Sequence, residues 1–307
     1  LYAMQLKKFG IRPQAILDTG PPLSLRASLL GLRALMTCPK AMFQGMRWLW
    51  SAAVKMNLIR GVDLLKAQGE NHLRSVSFEV GGHRHELSTS LLLVHDGVIP
   101  NTWLSMSAGI KHHFNEIQDC WVPQIQGAGL TSRDCISIVG DAASIGGAEV
   151  AMLQGERVAR EVDAYHEDHQ RSETLIESWV LRRQRWMRSF IDEAFPSTAQ
   201  FQSPENDIVV CRCEEVTAGE IRQVTERGCM GPNQGKAFTR CGMGPCMGRK
   251  CGLTVSRLMA QVRGVSVQEV GHYRIRSPIR PITVGQLADM ESILKGDNQS
   301  VLSANSS

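Results

Sequence analysis

The stretch "RCGMGPCMGRKCG" (240–252) places Cys241, Cys246 and Cys251 among Gly242, Gly244, Gly248 and Gly252. Upstream, "VCRCEEV" (210–216) carries Cys211 and Cys213. With Cys229, six of the nine cysteines fall within residues 211–251, and Cys38, Cys120 and Cys135 are scattered. No signal peptide is recognisable, so this clustering favours metal ligands over disulfides. Cys211 and Cys213, a C-x-C pair, do not readily close a disulfide with each other. They can share an iron site if the backbone turns between them. The Gly-rich loop can wrap an inorganic core and aim N–H groups at its sulfurs, and four thiolates are what an iron–sulfur cluster requires. Zinc is the competing occupant, although structural zinc sites commonly use two C-x₂₋₄-C pairs.

The elements beside the thiols suit negative charge. "TAGE" (217–220) is a capping box that predicts a helix start just after the first pair. "GLTVSRLMAQVRG" (252–264) predicts another just after Cys251. Helix N-termini stabilise thiolates and anionic clusters. Cys229 reads as a structural thiol. Residues alone leave open which of Cys241, Cys246 and Cys251 complete the ligand set.

A second constellation is "CISIVGDAASIGGAEVAMLQG" (135–155). It reads as a strand stopping near Gly140, a loop, and a helix. Asp141 would then project from the carboxyl edge of a sheet, where α/β folds bind ligands. Gly146 and Gly147 allow close approach of a helix N-terminus to a ligand. Ala148, Ala151, Gly155 and Ala159 form a small-residue stripe. Upstream, "LLLVHDGVIPNT" (91–102) reads as a buried strand running into a loop at Pro100 and Asn101. The bland alternative is a plain tightly packed βα unit.

Taken whole, "VGDAASIGGAE" resembles the second flavin motif of flavoproteins with two dinucleotide-binding domains, and "VHDGVIPNT" resembles the segment that precedes it in that class. The resemblance implies FAD, with Gly140, Asp141, Gly146, Gly147, Ala148, Pro100 and Asn101 beside it and Asp141 accepting from a ribityl hydroxyl. No G-x-G-x-x-G, the motif for the ADP half of FAD, occurs in the chain. In the family both copies would fall before Leu1, so the chain is expected to be truncated at its N-terminus. Asp18 would end a strand of the nucleotide-binding insertion, placed for an adenine ribose of NAD(P) or ATP. The alternative is a solvated strand-end acid.

"VCRCEEVTAGEI" followed by "TRCGMGPCMGRKCG" resembles the bacterioferritin-associated-ferredoxin-like (BFD-like) [2Fe–2S] domain. Related domains in some glycerol-3-phosphate dehydrogenases have Ala where Cys241 stands and keep the two later cysteines. That resemblance implies Cys211, Cys213, Cys246 and Cys251 as ligands, with Cys241 as the alternate. The combination of motifs resembles the alpha (A-type) subunits of heteromeric flavoenzymes that oxidise amino acids and opines. These include octopine and nopaline oxidases, D-hydroxyproline dehydrogenase, dye-linked proline dehydrogenases and hydrogen cyanide synthase. It implies an electron-transfer role, partnered by a flavin-containing, substrate-oxidising beta (B-type) subunit. The implied acceptor is a quinone, the respiratory chain or a dye-like molecule. It implies a cytoplasmic location, peripheral on the inner face of the membrane. No acid–base dyad is nominated, since the cofactors carry the redox chemistry. The readings weighed against it are a self-contained NAD(P)H-dependent flavin reductase and a non-enzymatic metal-binding module or inactive remnant.

The expected fold is α/β, an incomplete two-dinucleotide-binding-domain flavoprotein fold followed by a small, mainly helical BFD-like domain. The expected divisions are 1–90 (partial insertion domain with a basic helical segment), 91–165 (flavin-binding part), 166–207 (helical connector and linker), 208–272 ([2Fe–2S] domain) and 273–307 (arm and a disordered tail). The first residues read as a helix, a Gly turn and a strand ending in Asp18, and 73–89 as a hairpin turning at Gly81–Gly82. Residues 23–66 read as helical, with seven Lys/Arg against Asp63 alone. That excess fits a membrane surface, an acidic partner or a solvated basic face. Net charge, +4 over 307 residues, gives no case for nucleic acid. No apolar run is long enough to span a membrane. The nine histidines, His83, His85, His112 and His113 among them, read as loop and surface residues rather than ligands.

Overall fold

In a computed structural model of the chain, residues 2–127, 129–133, 135–167 and 175–290 are described. The N-terminal part opens with α1 (Tyr2–Lys8) and β1 (Ile16–Asp18), followed by α2 (Leu25–Thr37) and α3 (Pro39–Lys55). Ser24 caps α2 by accepting the Ala27 N–H at 2.9 Å, and Pro39 starts α3 where its missing N–H costs nothing. Beyond Lys55 the expected helix does not continue. Asn57 and Gly61 take positive φ of 49° and 68°, and β2 (Leu58–Arg60) and β3 (Val62–Gln68) follow. Their partners outweigh local helix periodicity: β2 pairs in parallel with β1, and β3 pairs with β4 (Ser75–Val80). β4 also pairs with β5 (His83–Ser88), completing a three-stranded antiparallel sheet. Gly81 and Gly82 both have φ > 0, as a two-residue hairpin turn demands.

Two expected strands are not formed. Residues 91–100 carry no ladder, and Leu91, Leu93 and Val94 are exposed. Near Cys135 the only pairing among the described residues is an isolated bridge, Leu130 with Ser137, and 140–142 is a single 3-10 turn. A buried parallel strand needs neighbours on both sides, and no described strand flanks either segment. Asp141 therefore leaves a turn, not a sheet edge.

The remaining elements are α4 (Trp103–Ser107), the hairpin β6 (His112–Asn115) and β7 (Cys120–Pro123), α5 (Ala148–Glu167), α6 (Leu175–Ala194) and α7 (Ala199–Gln202). The cysteine-rich unit comprises the β8 (Val209–Cys211) and β9 (Val216–Thr217) hairpin, α8 (Ala218–Glu226), α9 (Pro232–Thr239), α10 (Gly252–Arg263) and α11 (Val267–Val270). α2 packs on α6. An added Cβ at Gly31 would sit 3.0 Å from Phe190, and the Arg33 guanidinium lies 3.0 Å from the centre of the Trp186 ring.

The main core belongs to the cysteine-rich unit. Ile221, Val255, Leu258 and Met259 are almost fully buried there with Cys211, Cys229, Cys241 and Cys251, and Met106 and Trp121 join from the preceding segment. Although "PSTAQFQSPEND" (196–207) has linker composition, hydrogen bonds pin it. Ser197 Oγ and Gln202 Nε2 donate to Asp119 (2.6 and 3.1 Å), and Arg222 donates to Asn206 Oδ1 and the Pro204 carbonyl (2.6 and 2.8 Å). No described helix is long and apolar enough to cross a membrane. Most of the tail expected to be disordered lies outside the described residues.

Candidate metal centre and flavin segments

The capping box forms as the sequence requires. Thr217 Oγ1 accepts the Glu220 N–H at 3.3 Å, and Glu220 Oε2 accepts the Thr217 N–H at 2.8 Å. α10 starts at Gly252, directly after Cys251. Between β8 and β9 the chain makes a tight turn with Glu215 at φ 54°. That turn lets Cys211, buried at the end of β8, and the exposed Cys213 serve one site.

The Sγ atoms of Cys211, Cys241 and Cys251 lie within 4.8 Å of one another, all buried. The Cys213 and Cys246 thiols share a hydrogen bond beside them. Burial raises the Cys246 pKa, but the Lys250 N–H, the Cys213 thiol and the Gly248 and Arg249 N–H groups together outweigh it and hold the thiol below its ordinary value. Those N–H donors are the nest expected of the loop. The hydrogen bond from Cys251 holds Cys241 down at about 7, with Tyr273 and Cys211 adding to it, while the same bond and burial push Cys251 far up.

Three non-glycine residues of the cradle, Glu215, Arg240 and Met247, sit at φ of 54–60°. Such strain persists only where surrounding structure enforces it. Arg240 pairs with Glu214 at 2.9 Å across the two halves, and Tyr273 Oη donates to the Cys241 carbonyl at 2.9 Å. The glycines have distinct tasks. A Cβ on Gly244 would overlap Cys213 Cβ, and Cβ atoms on Gly242, Gly248 and Gly252 would meet the Tyr273 ring at 2.6, 2.8 and 3.2 Å. Among the described residues the clustered ligand atoms are thiol sulfurs, a set that suits iron–sulfur or zinc. The residues fit a cysteine-held metal group.

The sequence-predicted flavin residues lie in two loops. Asp141 is exposed, and its Oδ1 accepts the Gly146 and Gly147 N–H groups at 3.0 and 3.1 Å. Gly140, at φ 67°, donates to Gln154 Oε1 at 2.8 Å and lets α5 approach at Ala151. Ala148 begins α5. In the other loop Pro100 is buried, while Asn101 is exposed and its Oδ1 accepts the Trp103 N–H at 3.4 Å. Among the described residues no hydrogen bond joins the two loops. Asp18 ends β1, where Oδ1 accepts the Gly20 N–H at 3.1 Å and Arg60 lies 4.0 Å away. A cavity of about 30 Å³ separates the Pro100 loop from the cysteine unit, with Trp103, Trp121, Arg249, His272 and Tyr273 on its walls.

Sequence reasoning missed Tyr273 and the Asp119–Arg257 ion pair. Arg257 of α10 donates to Asp119 Oδ1 and its carbonyl at 3.1 and 3.0 Å, tying the cysteine unit to the β6–β7 turn. The signal for Tyr273 was the spacing of Gly242, Gly248 and Gly252, which asks what fills the vacated space.

Residues 207–290 match the sarcosine oxidase A3 domain model. The A subunit of opine oxidase from Rhizobium meliloti strain 1021 is 35% identical over 94% of this chain and 64% of its own length. The Agrobacterium tumefaciens protein of the same name is 34% identical over 94% and 59%. Over the length it spans, the chain is similar to these A subunits. Hydrogen cyanide synthase subunit HcnB of Pseudomonas aeruginosa is 30% identical over 92% of the chain and 62% of its own length. The chain thus spans roughly three-fifths of these relatives. A solved L-proline dehydrogenase from P. horikoshii superposes with a TM-score of 0.63 at 18% identity, covering 92% of this chain and 52% of that one. That likeness carries the fold. It agrees with a mixed α/β region followed by a mainly helical unit.

Proposed function

We propose that the chain is the FAD- and [2Fe–2S]-containing electron-transfer subunit of a heteromeric dehydrogenase or oxidase that acts on the C–N bond of an amino acid, imino acid or opine. The observation that carries this reading is the five-thiol cradle in a chain similar to the A subunits of opine oxidases. Cys211, Cys213, Cys246 and Cys251 would hold the cluster, with Cys241 the alternate ligand. The N–H groups aimed at Cys246 support its place in the set. The cluster supplies one-electron transfer. The chain's part is to keep the thiols deprotonated, close and shielded.

Pro100, Asn101, Gly140, Asp141, Gly146, Gly147 and Ala148 would line the flavin. Asp141 retains a second carboxylate oxygen for a ribityl hydroxyl. Asp18 would face a nucleotide, NAD(P) or ATP, in residues 1–90. The units 91–165, 166–207, 208–272 and 273–307 would be the flavin part, connector, cluster domain and arm. A flavin-containing beta (B-type) subunit would oxidise the substrate, and a quinone, respiratory-chain or dye-like acceptor would take the electrons. The complex would work in the cytoplasm, peripheral to the inner face of the membrane.

The test is anaerobic purification with an absorption spectrum and counts of iron, sulfide and zinc, alongside co-purification with a flavin oxidase partner. Iron and sulfide in equal amounts support the reading, and zinc without either sinks it. Cluster loss in Cys246→Ser supports the ligand set, and full retention transfers the role to Cys241.

A further inference from the structure

We propose that Tyr273 is the positioning residue of the cysteine cradle: its ring is the template on which the 242–252 loop folds, and its hydroxyl tunes the cluster through Cys241. The inference rests on the metal-centre reading above. Tyr273 lies beyond the last cysteine, outside every motif that marks the site. Its side chain is only 4% exposed, within the hydrophobic core, and loop glycines stand directly against its ring. An added Cβ would stand 2.6 Å from the ring at Gly242, 2.8 Å at Gly248 and 3.2 Å at Gly252. Real Cβ contacts essentially never fall below 3.0 Å and seldom come as close as 3.2 Å, so the ring occupies the volume these three residues leave free. The three glycines lie on both sides of Cys246 and Cys251, so one ring sets the path of the backbone carrying all three loop thiols.

The hydroxyl has a separate task. It donates to the Cys241 carbonyl at 2.9 Å, one peptide from Gly242. A fixed O–H dipole beside buried thiolates favours added negative charge, which is how outer hydrogen bonds raise a cluster's potential. On the opposite side, Trp103, two residues past Asn101, lies 3.8 Å from the same Gly252 position that Tyr273 approaches. The ring therefore also sits where the cysteine unit meets the Pro100–Asn101 loop.

Ring and hydroxyl are separable by experiment. Tyr273→Phe keeps the template and loses the donor. It should retain wild-type iron and sulfide, while the cluster's reduction potential falls and its electron paramagnetic resonance signal shifts. Tyr273→Ala loses both, and iron should leave it at least several-fold faster under a chelator. Far-UV circular dichroism reports whether Tyr273→Ala folds. If it does not, Gly252→Ala serves instead, pressing on the ring at a residue whose backbone tolerates a side chain. The proposal is overturned if folded Tyr273→Ala holds its metal as long as wild type, or if Tyr273→Phe loses metal as Ala does. An unchanged potential and spectrum in Tyr273→Phe overturns the tuning role. Zinc in place of iron in the wild type would defeat the cluster reading alone, because chelator rates with zinc still test the template.

Discussion

Gly244→Ala isolates one steric contact at the centre of the site. Gly244 is buried and its φ is not positive, so alanine imposes no backbone strain there. The new methyl would overlap Cys213 Cβ and stand 3.3 Å from its Sγ and 3.2 Å from Glu214 Oε1. Both neighbours belong to the tight β8–β9 turn, which cannot swing aside as a long side chain would. Restoring van der Waals contact requires a shift of about 1 Å between the two halves of the cradle. Overpacking of this kind costs about 1–3 kcal/mol. Rigid contact on both sides places it near the top of that range, about two orders of magnitude in the closed population. Functional constellations tolerate displacement of only about 0.5 Å, so Cys213 would leave the reach of a metal shared with Cys246. The assay is iron and sulfide per chain after anaerobic purification, with circular dichroism to confirm folding. Gly45→Ala is the control, since nothing lies within 4 Å of its added Cβ. Gly244→Ala should fold and carry a small fraction of wild-type iron, while Gly45→Ala carries all of it. Full iron with an unchanged spectrum in Gly244→Ala would refute the reasoning.

Arg257→Met should destabilise the chain by about 3 kcal/mol, because it leaves the mostly buried Asp119 carboxylate with only the neutral donors Ser197 and Gln202. Thermal denaturation should show it, and Arg257→Lys should recover only part, since an ammonium cannot reproduce both contacts. Gly155→Ala, with open space at its Cβ inside α5, should stabilise by about 1 kcal/mol through helix propensity, read as a raised Tm of the cofactor-free chain. His112 is held below its ordinary 6.5, chiefly by burial, with its ring nitrogens on the Ile110 carbonyl and Ser105 Oγ at 2.8 and 2.9 Å. The unfolded chain therefore takes up this proton first as pH falls. His112 contributes its full stability above about pH 6.5, and that contribution declines as pH drops toward the folded pKa. Comparing Tm against pH for wild type and His112→Gln measures it.

The cysteine unit was the most legible part of the chain because its signals are local. "TAGE" is a complete capping box within four residues, and Gly252 follows Cys251 directly into a helix. Residues 81–82 likewise contain their whole turn. Segments 58–68, 91–100 and 135–139 were misread because a strand depends on its neighbours. Val62 becomes a strand residue by pairing with Val80, whereas Leu91–Val94, equally apolar, finds no described partner. The string "VGDAASIGGAE" carries a likeness to a flavin motif, but its expected strand is not formed, so that likeness and the local structure come apart at Ser137–Gly140.

The glycines of "RCGMGPCMGRKCG" show why the composition of a motif explains only part of its packing. Their scarcity of side chain does allow N–H groups to face sulfur, and Gly248, Arg249 and Lys250 do so at Cys246. Yet Gly244 is small because Cys213 comes from another hairpin. Gly242, Gly248 and Gly252 are small because Tyr273 arrives from beyond α11. Neither partner is within the loop, so spacing alone shows that volume is missing and not what fills it. Electron transfer requires the donor and acceptor to hold their separation. On the proposed reading, the same long-range contacts that hid from the sequence do that work: Arg257 on Asp119, and Tyr273 and Trp103 against Gly252, join the cluster loop to the segment expected to carry flavin.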